Sequence, residues 1–391
     1  MTHRDDLDAL VTELNAGITP AAPAAEPTPA HRADDVPELV RLRGWLDEAV
    51  ARSASDLLLV AGAPPSLRID AVVHPIGSSF GATLGSEEIE DAVLPALPPH
   101  ARRMYREDGI ADGSYRDADV GRFRINLHHE RGRAAAAIRR LPSVVPRFAS
   151  LHLPPPIESL TRLARGLVLV GGPTGSGKTT TLAALVNEIN LREARHIITI
   201  EDPIEYEHPH RRSIVEQVEI GIDAPDFPTA LRAALRQAPD VIVVGEMRDP
   251  ETMQIALAAG ETGHLVFSSL HTTDVATTVA RIADSFPTER QNTVRQELAM
   301  ALAAVLTQTL MPKIGGGLIP AAELLVVGYG ARQHVRKNAL QHLHQEVTIT
   351  RRHGSFTLEE SLTELVKQGL VDRKDALTRA VHPEELERLL G

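Results

Sequence analysis

The sequence predicts an α/β protein whose larger part is a mostly parallel sheet covered by helices on both faces. Three observations carry that prediction. The short apolar runs GLVLVGG, HIITI, VIVVG and HLVFSSL are each bounded by turn residues. Helical segments such as TTTLAALVNEIN and PETMQIALAAGE separate them, which is the alternation expected of parallel strands joined by helices. The length of 391 residues leaves room for a second domain beside this sheet.

Taken in order, residues 1–36 are rich in alanine and proline and lack an apolar period, so a disordered extension is expected behind a short amphipathic segment. Residues 37–143 read as an α+β domain. Pro37 suits a first helical turn, and Leu39, Leu42, Leu46 and Val50 recur at helical spacing. DLLLVAG and SLRIDAVVHPI then read as strands around Ala63, Pro64 and Pro65, SEEIEDAVLPAL as a helix, and GRFRINLHHE with AAAAIRRL as strands joined near Arg131 and Gly132. Prolines cluster from Pro142 to Pro156, so residues 144–157 are expected to be a linker. The parallel-sheet domain follows over 158–391, and from about residue 288 it reads as helical, with turns at Gly315–Gly317 and Gly354.

Composition removes several kinds of chemistry. With no cysteine, disulfides, thiolate catalysis and Cys-ligated metals are excluded. A net charge of −11 and only 12 aromatic residues argue against a protein that coats nucleic acid or stacks bases. The apolar runs fall short of the ~18 residues that a membrane span needs, and MTHRDDLDAL has acids where a signal peptide has bases. A soluble cytoplasmic protein is expected.

The chemistry concentrates at GGPTGSGKTT. Gly172, Gly177, Lys178 and Thr179 complete a G-x-x-x-x-G-K-[ST] pattern between an apolar strand and a helix. Glycines such as Gly175 let backbone N–H groups wrap a phosphate chain, and Thr174, Ser176 and Thr180 lie in or beside the loop. Lys178 is expected on the β and γ phosphates and Thr179 on Mg²⁺, so the cofactors are ATP and Mg²⁺. Only five of the 41 basic residues are lysines, and Lys178 is the first along the chain. Retaining a compact ammonium there fits a point-charge role.

Three later strands run into polar groups, and in an open α/β sheet ligands bind outside the carboxyl ends. HIITI leads to Glu201, Asp202 and Glu205, VIVVG to Glu246, and LVFSSL to His271. Glu246 is the first choice to activate water, with Glu205 sharing that work or binding the metal. The alternatives are that Glu201 or Asp202 caps a turn at Pro203 and that Glu246 simply pairs with Arg248. His271 and His264 flank their strand and could equally be solvated end groups. In GRFRINL, Arg122 and Arg124 share the face opposite Phe123, Ile125 and Leu127.

In order and spacing, GPTGSGKTT, TIEDPIEYEH, VIVVGEMRD and ETGHLVFSSLHTTD resemble the Walker A, Asp box, Walker B and His box of the secretion ATPase superfamily. The resemblance spans about residues 37–378 and is to the pilus retraction (twitching motility) branch, the PilT type, since assembly and secretion members usually insert a four-cysteine module. It implies a PAS-like N-terminal domain, a RecA-like ATPase domain and a ring-shaped homo-hexamer. It also implies Glu205 and Glu246 as catalytic carboxylates, His264 and His271 as a His-box pair, and Arg124 and Arg139 as arginines reaching a neighbour's nucleotide. The expected function is an ATPase motor powering pilus retraction. It would be peripheral at the cytoplasmic face of the inner membrane, partnered by a platform protein and the pilus machinery, with no direct nucleic acid. A motor for pilus assembly, type II secretion or DNA uptake is the near alternative, and a RecA-like nucleic-acid translocase the distant one. The branch's late Ala-Ile-Arg-Asn-Leu-Ile-Arg-Glu type segment is met by GARQHVRKNA, which keeps Arg332 and Arg336 but has Lys337 or Asn338 in place of the acid.

Overall fold

A computed structural model describes residues 37–77 and 83–391. The disordered extension expected over 1–36 lies outside the described residues. The rest forms two compact units. One comprises the described residues through Ala96 with Tyr115–Phe123 and Leu127–Arg139, and the other Leu97–Ser114, Arg124–Asn126 and Arg140–Gly391. Residues 37–143, expected as one domain, are thus divided between the two units, and from Arg140 onward the chain stays in the second.

Helix α1 (Pro37–Ala51) starts at the proline and buries Leu39, Leu42 and Leu46. A six-stranded sheet has the order β3-β2-β1-β6-β5-β4, from β1 (Asp56–Val60), β2 (Ser66–Ile69), β3 (Val72–Pro75), β4 (Ile110–Asp117), β5 (Gly121–Glu130) and β6 (Arg133–Arg140). Between β3 and β4 lie α2 (Ser86–Val93) and α3 (Pro99–Asp108). Along β5 the side chains of Phe123, Ile125 and Leu127 are buried while their neighbours are half-buried. The β5–β6 connection is Arg131 and Gly132, both at positive φ (51° and 73°), as a tight two-residue hairpin turn requires.

The stretch expected as a linker is packed structure. It carries 3₁₀ turns over Phe148–Leu151 and Pro155–Arg162, and it buries Phe148, Leu153, Ile157 and Leu160 in the same core as Val168 and Val170. Proline fixes the backbone there without preventing the residues between from reaching the core.

The second unit is built on a seven-stranded sheet of order β13-β12-β7-β11-β10-β8-β9. Its strands are β7 (Gly166–Gly171), β8 (His196–Glu201), β9 (Ile214–Glu219), β10 (Val241–Val244), β11 (Leu265–Leu270), β12 (Leu302–Pro312) and β13 (Leu318–Val326). Alternate residues of β7 enter two separate cores, Leu167 and Leu169 on one face and Val168 and Val170 on the other. Burial on both faces is why these strands read as unbroken apolar runs. The helices are α4 (Lys178–Arg192), α5 (Phe227–Ala234), α6 (Pro250–Glu261), α7 (Val275–Asp284), α8 (Thr288–Ala301), α9 (Tyr329–Arg336), α10 (Leu343–Ile349), α11 (Leu358–Lys367), α12 (Arg373–Arg379) and α13 (Pro383–Leu390). Asp249 and Asp274 cap α6 and α7 by accepting from the N–H groups of Thr252 and Thr277.

The expectation of helix from residue 288 onward needs correction over 302–326. β12 pairs in parallel with β7 and antiparallel with β13, and the hairpin turns through Gly315, Gly316 and Gly317. Ten of the eleven β12 side chains are buried or half-buried, so no alternation distinguishes this strand from a helix in the sequence. Among the described residues no helix is long and apolar enough to cross a membrane.

Candidate functional site

β7 delivers the chain into the loop Gly172–Gly177, and α4 begins at Lys178. Gly172, Gly175 and Gly177 have φ of 157°, 77° and 88°. A Cβ at Gly172 would come within 2.3 Å of Ser176 Oγ and 2.5 Å of the Gln308 carbonyl oxygen, so only glycine closes this turn. The first N–H groups of α4 and the positive end of its dipole therefore lie at the loop.

Lys178 is 7% exposed and donates to the carbonyls of Gly172 (2.8 Å) and Pro173 (3.0 Å). Burial lowers its pKa from the ordinary lysine value, while the charges of Glu246 and Glu205 pull it back up. The buried Ser176 hydroxyl has no hydrogen-bond partner. An ammonium turned onto its own loop and an orphaned hydroxyl beside it fit a cradle made for an anion. Thr179 follows half-buried, and Thr180 Oγ lies 3.1 Å from the Tyr206 hydroxyl.

The strand ends converge as their order in the sheet requires. Glu246, just past β10, is paired with Arg248 and lies 3.3 Å from His271 Nε2. His271, just past β11, also places Nδ1 3.5 Å from Thr174 Oγ. The Arg248 pairing weighed for Glu246 is thus present, alongside the His271 contact. Glu201 accepts from Thr199 (2.7 Å) and Gln217 (3.1 Å), and burial pushes its pKa up despite those bonds. Asp202 is likewise raised by burial, with nearby guanidinium groups opposing.

His264 stands apart. It precedes β11, so the six residues of the strand, about 20 Å at ~3.3 Å per residue, separate it from the carboxyl end where His271 sits. Its Nδ1 lies 3.2 Å from the Ala259 carbonyl oxygen, and its N–H donates to the same atom. The expectation that it joins the nucleotide site is corrected by strand direction.

In the six-stranded sheet, Arg139 faces Asp56 across the β1–β6 pairing, with Nε 2.9 Å from Oδ1. Arg124 reaches Asp112 at 3.4 Å. Both guanidinium side chains are well exposed, 68% and 41%. Arg332, in α9, donates to the last-turn carbonyls of Ala299 and Met300 in α8, a cation at a helix C-terminus.

Two site residues escaped the sequence reading. Gln308 of β12 bonds both the loop and α4, and its signal was a polar triplet, Thr307–Gln308–Thr309, inside an apolar run. Tyr206 gave no signal beyond its place in TIEDPIEYEH. The donors around the loop, a hydroxyl and carboxylates, are hard oxygen ligands suited to Mg²⁺. Among the described residues no three His, Cys, Asp or Glu side chains form a metal cage.

Residues 154–382 match the model of the type II/IV secretion system protein family. Over 333 residues the chain is 40% identical to the type IV pilus retraction ATPase PilT of Pseudomonas aeruginosa, covering 85% of this chain and 96% of that protein. A twitching motility protein of Neisseria gonorrhoeae is 40% identical over 304 residues, covering 78% and 81%. The crystal structure of the pilus retraction motor PilT with bound ADP superposes with a TM-score of 0.79 at 44% identity, covering 87% of this chain and 97% of that one.

Proposed function

The chain belongs to the type II/IV secretion system protein family, and from that premise we propose that it is the ATP-hydrolysing motor of type IV pilus retraction. It is an ATPase of the retraction type. The observation that carries the reading is likeness along almost the whole length of a retraction ATPase, and the phosphate loop and its carboxylates lie within the family match over 154–382.

In this reading the phosphate chain lies over Gly172–Gly177, and Lys178 leaves the loop carbonyls to meet the β and γ oxygens. Thr179 and Glu205 would hold Mg²⁺, which would offset phosphate charge. Glu246, steadied by Arg248 and His271, accepts the proton as a water oxygen attacks the γ phosphorus and the bond to the ADP oxygen breaks. The exposure of Arg124 and Arg139 supports their reaching the nucleotide of a neighbouring subunit, where a guanidinium would stabilise charge on the transferring group. That role requires an oligomer, here a homo-hexamer. The PAS-like character of residues 37–143, ring rotation and docking on a platform protein at the inner membrane belong to the same proposal.

The test is complementation. In a cell lacking its own retraction ATPase, the full chain is expected to restore twitching and Lys178→Ala to leave it absent. An expressed chain that hydrolyses ATP yet restores no twitching would remove the retraction output. ATP turnover strongly stimulated by DNA in a salt-sensitive way would point to a nucleic-acid translocase instead.

A further inference from the structure

Gln308 lies on β12 one residue beyond Thr307, which is paired with Gly171 at the point where β7 gives way to the loop. It is 5% exposed, and its amide makes one short hydrogen bond at each end. Thr181 Oγ, one turn into α4 and 1% exposed, donates to Oε1 at 2.7 Å, and Nε2 donates to the Ser176 carbonyl at 2.7 Å. The amide has one possible orientation, because a backbone carbonyl can only accept. Room for it exists because Gly177 lacks a side chain, as a Cβ there would sit 2.8 Å from Nε2.

The Ser176–Gly177 peptide is planar and trans, so its C=O and N–H point in opposite directions. Fixing the carbonyl therefore fixes the N–H. We propose that Gln308 is a positioning residue for nucleotide binding: it clamps the Ser176 carbonyl so that the Gly177 N–H is turned toward the phosphate chain. Thr181 sets the amide's orientation and ties the clamp to α4. This rests on the reading of the loop as an ATP site. Without the clamp the peptide is free to rotate, since Gly177, at φ 88°, tolerates either arrangement.

The experiment measures ADP affinity, KM and kcat for ATP, and the thermal midpoint of the full chain, for wild type, Gln308→Glu, Thr181→Val and Thr181→Ser. Gln308→Glu keeps the shape but sets a carboxylate against a carbonyl, and is expected to weaken ADP about tenfold or more, the scale of one hydrogen bond to a charged group. KM should rise by a larger factor than kcat falls. Thr181→Val is expected to weaken ADP by about threefold, and Thr181→Ser, which keeps the hydroxyl, to bind as wild type does. A residue serving stability alone would lower the midpoint and leave ADP affinity unchanged, and that result in both Gln308→Glu and Thr181→Val overturns the proposal. Should Gln308→Glu fail to fold, the threonine pair decides, and Thr181→Val binding ADP as tightly as wild type is the overturning result. Wild type that binds no ADP would instead overturn the nucleotide reading, and this inference with it.

Discussion

β11 has a histidine at each end, and only one of them meets the phosphate loop. His271 lies within 3.5 Å of both Glu246 and Thr174, whereas His264 turns back onto the Ala259 carbonyl. The two have the same chemistry and flank the same strand. What separates them is that parallel strands send all their carboxyl ends to one edge, where loop, carboxylates and helix N-terminus meet. In such a sheet a residue's type says little until the direction of its strand is known.

That contrast can be broken at the carboxyl edge first. Lys178→Ala should reduce ATP turnover by about 10²- to 10³-fold, the scale of one preorganised electrostatic group, with the circular dichroism spectrum unchanged. Near-normal turnover would remove the loop from the site. Glu246→Gln should retain ATP binding and lower kcat by about 10²-fold in single-turnover measurements. If affinity collapses and the chemical step survives, Glu246 serves the metal or the fold.

A third histidine tests burial apart from position. His208 has its pKa pushed down to about 4 by burial, and its Nδ1 has no hydrogen-bond partner. Because the folded value lies below the unfolded ~6.5, its contribution is fully present above pH 6.5 and is lost as pH falls toward 4. Denaturant titrations across that window should show a loss approaching ~3 kcal/mol, and His208→Leu should flatten it. An unchanged slope in that variant would assign the pH dependence elsewhere.

The smallest effects bear on the comparison directly. His271→Ala should lower kcat about tenfold through the loosened Glu246, consistent with one hydrogen bond to a charged group. His264→Ala should leave kcat within about twofold and cost about 1 kcal/mol of stability. Equal kinetic losses would mean that the two ends of β11 communicate.

The sequence reading reached what repeats locally. Four parallel strands, the phosphate loop and the Arg131–Gly132 turn all follow from short-range signals, namely bounded apolar runs, a spaced glycine pattern and a two-residue hairpin connection. It failed where burial erased the pattern. Leu302–Met311 and Ile319–Val326 are buried or half-buried throughout, and Gln308 lies 132 residues from the Ser176 carbonyl that it holds. The proline cluster reads as a connection because proline punctuates chains, while the spacing that buries Phe148, Leu153, Ile157 and Leu160 belongs to no regular period.

The addition of β12 beside β7 has a mechanical consequence. β7, the strand that leads into the phosphate loop, is flanked in parallel by β11 on one side and β12 on the other. Tension along its axis shears both ladders at once, loading their hydrogen bonds together instead of peeling them in sequence. β13 has a full ladder on its β12 side only, its other edge being held by the short Leu324–Phe356 bridge. Load on the strand that seats the phosphates is therefore shared between two ladders rather than carried by one.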